Sequence, residues 1–124
     1  MKALIILAHG SRRHDSNQEI HSLTNEVRNN TDHNFQFVEY AFLELTEPKL
    51  LTVINNLVKK GADEITVLPY FLNSGNHVKK DIPEIIDSAM ERYPKCKFNI
   101  ISCIGMYEDM DKIILQHVGD NTVN

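Results

Sequence analysis

Six consecutive apolar residues, Ala3–Ala8 (ALIILA), end abruptly at His9-Gly10-Ser11. A run this short cannot cross a bilayer as a helix. Its lack of alternation leaves neither face for water, the pattern of a strand buried on both sides of a parallel sheet. A histidine at the carboxyl end of such a strand, followed by glycine and a helix start, stands where open α/β sheets hold their ligands. Residues 1–16 thus predict a central strand and a site at its end.

The rest of the chain alternates in type. A helix is expected to open at Ser16, with Glu19 at capping-box spacing. Ile20, Leu23 and Val27 follow at helical intervals, with His21 and Glu26 on the wet face, and Asn29-Asn30 ends the run. Phe35–Phe42 reads as a second strand, closed by Leu43-Glu44-Leu45. Pro48 suits the first turn of a second helix, whose apolar face is Leu50, Val53, Ile54, Leu57 and Val58, with Gly61 as its stop.

Glu64–Pro69 (EITVLP) is a third strand, followed by a long connection, Tyr70–Lys80. A third helix from about Asp81, with Pro83 in its first turn, carries Ile82, Ile85, Ile86, Ala89, Met90 and Tyr93 on one face, and Pro94 ends it. Phe98–Ile104 makes a fourth strand, and Tyr107, Met110, Ile113, Ile114 and Val118 a fourth helix. The expected fold class is therefore α/β: three layers, a four-stranded parallel sheet in the order 2-1-3-4, and helices on both faces. One domain is expected over residues 1–118, with a frayed tail at 119–124.

Composition narrows the function classes. At 124 residues and a net charge of −4, the chain has no basic footprint for nucleic acid or an anionic membrane surface, so neither is expected as a partner. No small-residue cleavage site follows the first apolar run, so the expected address is the cytoplasm. Cys96 and Cys103 have no CxxC spacing and read as two free thiols.

Polar residues stand past three of the strands: His9 after the first, Glu44 after the second and His77 after the third. Parallel strands all end on one edge, so three residues distant in sequence converge on one crevice. Two imidazoles and a carboxylate suit Co²⁺, Ni²⁺, Fe²⁺ or Zn²⁺ rather than Mg²⁺ or Ca²⁺, and imidazoles accept protons near neutral pH. Each residue alone also fits a simpler role: a hydrogen-bonding His, a solvated loop carboxylate and an exposed loop His. His14 reads as a surface residue or a peripheral ligand, and His21, His33 and His117 as surface. Arg12-Arg13 and Lys79-Lys80 flank the His-bearing loops, either as solubilising charge or as a basic rim for substrate carboxylates.

Three motifs, LIILAHGSRR, AFLELTEP and LPYFLNSGNHVKKDIPE, occur in an order that resembles the short sirohydrochlorin chelatases, the CbiX/SirB group of class II chelatases. The resemblance runs from about Met1 to Cys103. It implies a chelatase-like (flavodoxin-like) fold and insertion of a divalent metal into sirohydrochlorin with release of two protons. Cobalt is the first expectation, with iron or nickel as alternatives; the metal is a substrate, and no organic cofactor is expected.

On the matching positions, His9 and His77 would be the catalytic and metal-binding pair and Glu44 the metal-site carboxylate. Ser11, Arg12, Arg13, Ser74, Gly75, Lys79 and Lys80 would contact the substrate, while Phe71, Leu72 and Leu43 fit either apolar contact with the macrocycle or core packing. The resemblance also implies a homodimer, and a small domain has too little wall to enclose a macrocycle alone. The His-rich segment of longer relatives is missing. The rival expectation is a metal or tetrapyrrole carrier that does no chemistry. A flavodoxin-like redox role would need a Ser/Thr/Gly-rich phosphate loop where this chain has His, Arg and Asp.

Overall fold

A computed structural model describes residues 1–73 and 75–121, apart from the side chains of Asn76 and His77. The chain forms β1 (Lys2–Ala8), α1 (His14–Asn29), β2 (Phe37–Phe42), α2 (Leu50–Lys59), β3 (Glu64–Pro69), α3 (Asn76–Arg92), β4 (Lys97–Ile100), a 3₁₀ turn at Ile104–Met106 and α4 (Met110–Asp120). The strands form one parallel sheet in the order β2-β1-β3-β4. This is the topology expected from the sequence. The apolar run is the inner strand β1, where Leu7 lies between Ala41 of β2 and Pro69 of β3.

Alternation along β1 divides the core. Ala3, Ile5 and Leu7 join Ile65, Val67 and Phe98 on one face, covered by Leu50, Val53, Ile54 and Leu57 of α2 and Ile82, Ile86 and Ala89 of α3. Ile6 and Ala8 point the other way, in register with Tyr40 and Phe42. There α1 covers β2: the His21 ring meets Tyr40 at 5.3 Å. Arg28 donates through Nε to the Val38 carbonyl at 3.1 Å. His21 is thus half-buried against an aromatic ring, not on the wet face, and the fully buried residue of α1 is Thr24, whose hydroxyl donates to Ile20 O at 2.7 Å.

The end of α2 follows the sequence signal closely. Gly61, at φ 103°, turns the chain out of the helix, while Gly61 N donates to Val58 O and Ala62 N to Leu57 O, the paired bonds of a Schellman stop. Elsewhere the boundaries move. The first helix begins at His14, with Arg13 at its N-cap and no side-chain cap, so the Ser16/Glu19 capping box does not form. Pro48 lies ahead of α2 and accepts a bond from Phe42 N at 2.8 Å.

The third helix starts at Asn76, five residues before Asp81, so Pro83 sits inside it, where it has no N–H for the carbonyl of Lys79. The fourth strand stops at Ile100, and the stretch expected to complete it bends into the 3₁₀ turn. The fourth helix runs to Asp120, two residues past the expected end of order at 118; residues 122–124 of the expected tail lie outside the described residues.

One layer is incomplete. Residues 111–120 of α4 are all exposed, among them Ile113 (45%), Ile114 (55%), Leu115 (70%) and Val118 (57%). On β3 and β4, Thr66, Leu68 and Asn99 of the α1 side remain partly open, whereas Ile65 and Val67 on the other face are wholly buried. Cys96 and Cys103 are free thiols, and desolvation, helped by the Asp63 carboxylate, pushes the Cys96 thiol above its ordinary pKa.

Candidate functional site

The carboxyl ends of β1 and β2 are joined beyond the strands. Leu43 N donates to Ala8 O at 2.9 Å and Glu44 N to His9 O at 3.0 Å, which extends the ladder into the loops. Gly10 follows with φ 101°, and a Cβ there would stand 1.9 Å from the carbonyl oxygen of Glu44. Only glycine allows the two backbones to come this close. The result is a direct side-chain pair: His9 Nε2 lies 2.8 Å from Glu44 Oε1, with the two side chains 47% and 45% exposed.

A contact of this length is a hydrogen bond or ion pair between an imidazole and a carboxylate, two groups that also serve as ligands to borderline divalent cations. An imidazole held by a carboxylate can equally take up a proton. The Phe71 ring meets His9 edge-on, 6.2 Å between centroids at 75°. With Tyr70, Leu72, Ile104 and Met110 it lines a cavity of about 330 Å³. Lys79, Ile82, Ile100 and Cys103 help line a second, of about 250 Å³. Leu72 is exposed and placed to offer apolar surface, whereas Phe71 and Leu43 both pack partly buried against the core, Phe71 with one side on the cavity.

The structure places His77 in the first turn of α3, not in a loop, and its side chain lies outside the described residues. Among the described residues no three His, Cys, Asp or Glu side chains come together as a metal set. Ser74 also lies outside them. Gly75 is the N-cap of α3, and Lys79 and Lys80 are exposed in its opening turns. Arg12 and Arg13 are exposed at the start of α1. Among the described residues none of these four cations pairs with a carboxylate, and Arg12 and Arg13 stand at the amino end of α1, where positive charge is disfavoured.

Ser11 is committed to shaping its loop: its hydroxyl accepts from Arg13 N at 3.0 Å, and its N–H donates to Asn17 Oδ1 at 3.1 Å. Asn17 Nδ2 returns a bond to Ser11 O at 2.8 Å. Sequence reasoning did not single out Asn17, although a short amide side chain one turn into a helix after His-Gly-Ser is a usable signal. It also missed Leu45, whose φ of 71° puts a leucine in the left-handed region at a cost of about 1–2 kcal/mol.

The CbiX family pattern matches residues 3–121. The chain belongs to the CbiX family. It is 33% identical over 124 residues to the sirohydrochlorin cobaltochelatase of Priestia megaterium, covering 98% of this chain and 40% of that protein. It is also 33% identical over 105 residues to the sirohydrochlorin cobaltochelatase of Sulfolobus acidocaldarius, covering 85% and 80%. Among solved structures it is similar to the sirohydrochlorin chelatase SirB of Bacillus subtilis subspecies spizizenii in complex with cobalt, with a TM-score of 0.81, 32% identity and coverage of 97% of this chain and 50% of that one. The chain spans about half the length of most of the curated relatives it matches.

The close backbone approach at Gly10 has a measurable consequence. Gly10→Ala is expected to cost about 2 kcal/mol or more, since the left-handed backbone alone accounts for about 1–2 kcal/mol and the added methyl must push Glu44 away. Denaturant unfolding checks this, and parent-like stability would show that the Ser11 loop can lift off Glu44 freely.

Proposed function

We propose that this chain inserts a divalent metal into sirohydrochlorin, with cobalt as the first candidate and iron or nickel as alternatives. The observation that carries the reading is the His9–Glu44 pair, 2.8 Å apart and half exposed at the carboxyl edge of the sheet. In the reaction M²⁺ replaces two pyrrole N–H protons, so the site has to hold a metal loosely and accept protons. Three protein ligands with open positions suit that task, whereas a closed four-ligand site would retain the ion. His9 and His77 take the roles of ligand and proton acceptor, and Glu44 those of ligand and charge partner. The names of the relatives and the cobalt-bound SirB structure support this reading.

Arg12, Arg13, Lys79 and Lys80 are proposed to receive the carboxylates of the macrocycle. All four are exposed and, among the described residues, paired with no carboxylate, which leaves them available to an anionic ligand. Ser11 and Gly75 shape the segments that carry them, and Ser74, the other substrate-contact candidate, lies outside the described residues. No helix among the described residues is long and apolar enough to cross a membrane, and the reaction is proposed to take place in the cytoplasm.

A homodimer completes the pocket. The exposed Ile113, Ile114, Leu115 and Val118 of α4 support this reading, because a helix with an apolar stripe normally buries it.

Two measurements test the proposal. Purified protein mixed with sirohydrochlorin and Co²⁺, Fe²⁺ or Ni²⁺ separately is expected to accelerate metallation over the metal-only control, followed by absorbance, and His9→Ala is expected to lose at least about 100-fold of that rate. No acceleration by any metal would leave a carrier. Light scattering is expected to give twice the chain mass of 14.2 kDa, falling to one chain in Ile114→Glu. A wild-type monomer would contradict the paired pocket.

A further inference from the structure

Leu45 combines two features that the fold alone does not require. Its φ of 71° is a conformation that glycine adopts freely and leucine does not. Its side chain, 50% exposed, does not recover that strain in the core. By contrast Leu7, Leu50 and Leu57 are at most 1% exposed in the core. A glycine would make the same turn without strain, so the side chain itself is what the isolated chain leaves unexplained. Strained residues of this kind collect at functional sites.

Position decides what compensates it. Leu45 directly follows Glu44, the carboxylate that holds His9, and His9 in turn meets the Phe71 ring at 6.2 Å. Both members of the pair therefore have an apolar neighbour, one along the chain and one through space. A molecule brought to the pair with an apolar face and polar nitrogens at its centre meets both kinds of group together. We propose that Leu45 is a substrate-contact residue, which lays its exposed side chain on the face of the tetrapyrrole while the pair attends to the metal. The inference rests on the chelatase reading above and adds to it a residue that sets macrocycle affinity without touching the metal.

Leu45→Gly and Leu45→Asn separate the side chain from the backbone, because both residues tolerate the left-handed conformation. Metal-free sirohydrochlorin, titrated by absorbance, is expected to bind about tenfold more weakly to each variant, the worth of burying the exposed half of a leucine side chain. Co²⁺ affinity is expected to stay within twofold and the melting temperature to be no lower than that of the parent.

Sirohydrochlorin binding within twofold of the parent overturns the proposal. So does a parallel loss of Co²⁺ affinity, which would make Leu45 a positioning residue for Glu44. A shift from dimer to monomer would assign its side chain to the subunit contact and overturn it as well. Normal wild-type turnover with unchanged variant binding removes only the role of Leu45, whereas a wild type that neither binds nor metallates sirohydrochlorin removes the chelatase reading and this inference together.

Discussion

Burial of β1 on both faces is the interaction on which the rest depends. Ile5 and Leu7 on one side and Ile6 on the other are at most 2% exposed, and each such side chain contributes about 1.5–3 kcal/mol when removed from water. A strand that is apolar throughout cannot sit at an edge or face solvent, so β2 and β3 must flank it and α2, α3 and α1 must cover it. Parallel pairing then brings the carboxyl ends of the strands to one edge. The loops at that edge are free to carry polar groups, because the strands behind them hold their register.

The His9–Glu44 pair contributes little to the fold. Two side chains nearly half exposed gain about 0–1 kcal/mol from their attraction, while the features that bring them together are costly. Gly10 and Leu45 both adopt left-handed backbone within one residue of the pair. Stability supplied by the buried sheet is spent on an accessible His–carboxylate pair, the balance that functional sites commonly strike.

Much of this was legible in the sequence, for identifiable reasons. The bounds of β3 and the stop of α2 at Gly61 follow from local chemistry: a β-branched run closed by proline, and a glycine where only positive φ fits. His9 and Glu44 could be found because they stand one and two residues past the ends of their strands. The start of α3 could not, since Asn-Ser-Gly-Asn reads as loop and Pro83 reads as a helix start, whereas tertiary packing carries the helix through it. The role of Asn17 depends on a bond back to Ser11, and Leu45 on a dihedral angle that residue identity argues against. The exposed stripe of α4 was visible as a period, but nothing local says that its own sheet leaves it uncovered.

The place where the metal binds decides whether the His9–Glu44 pair is a metal site. A crystal structure of the protein with Co²⁺, with anomalous scattering to locate the ion, tests that directly. The predicted result is one cobalt at the carboxyl edge of the sheet, bound by His9 Nε2, a Glu44 oxygen and His77, with at least one position open. Cobalt bound elsewhere, with the 2.8 Å contact between His9 and Glu44 left intact, would contradict it.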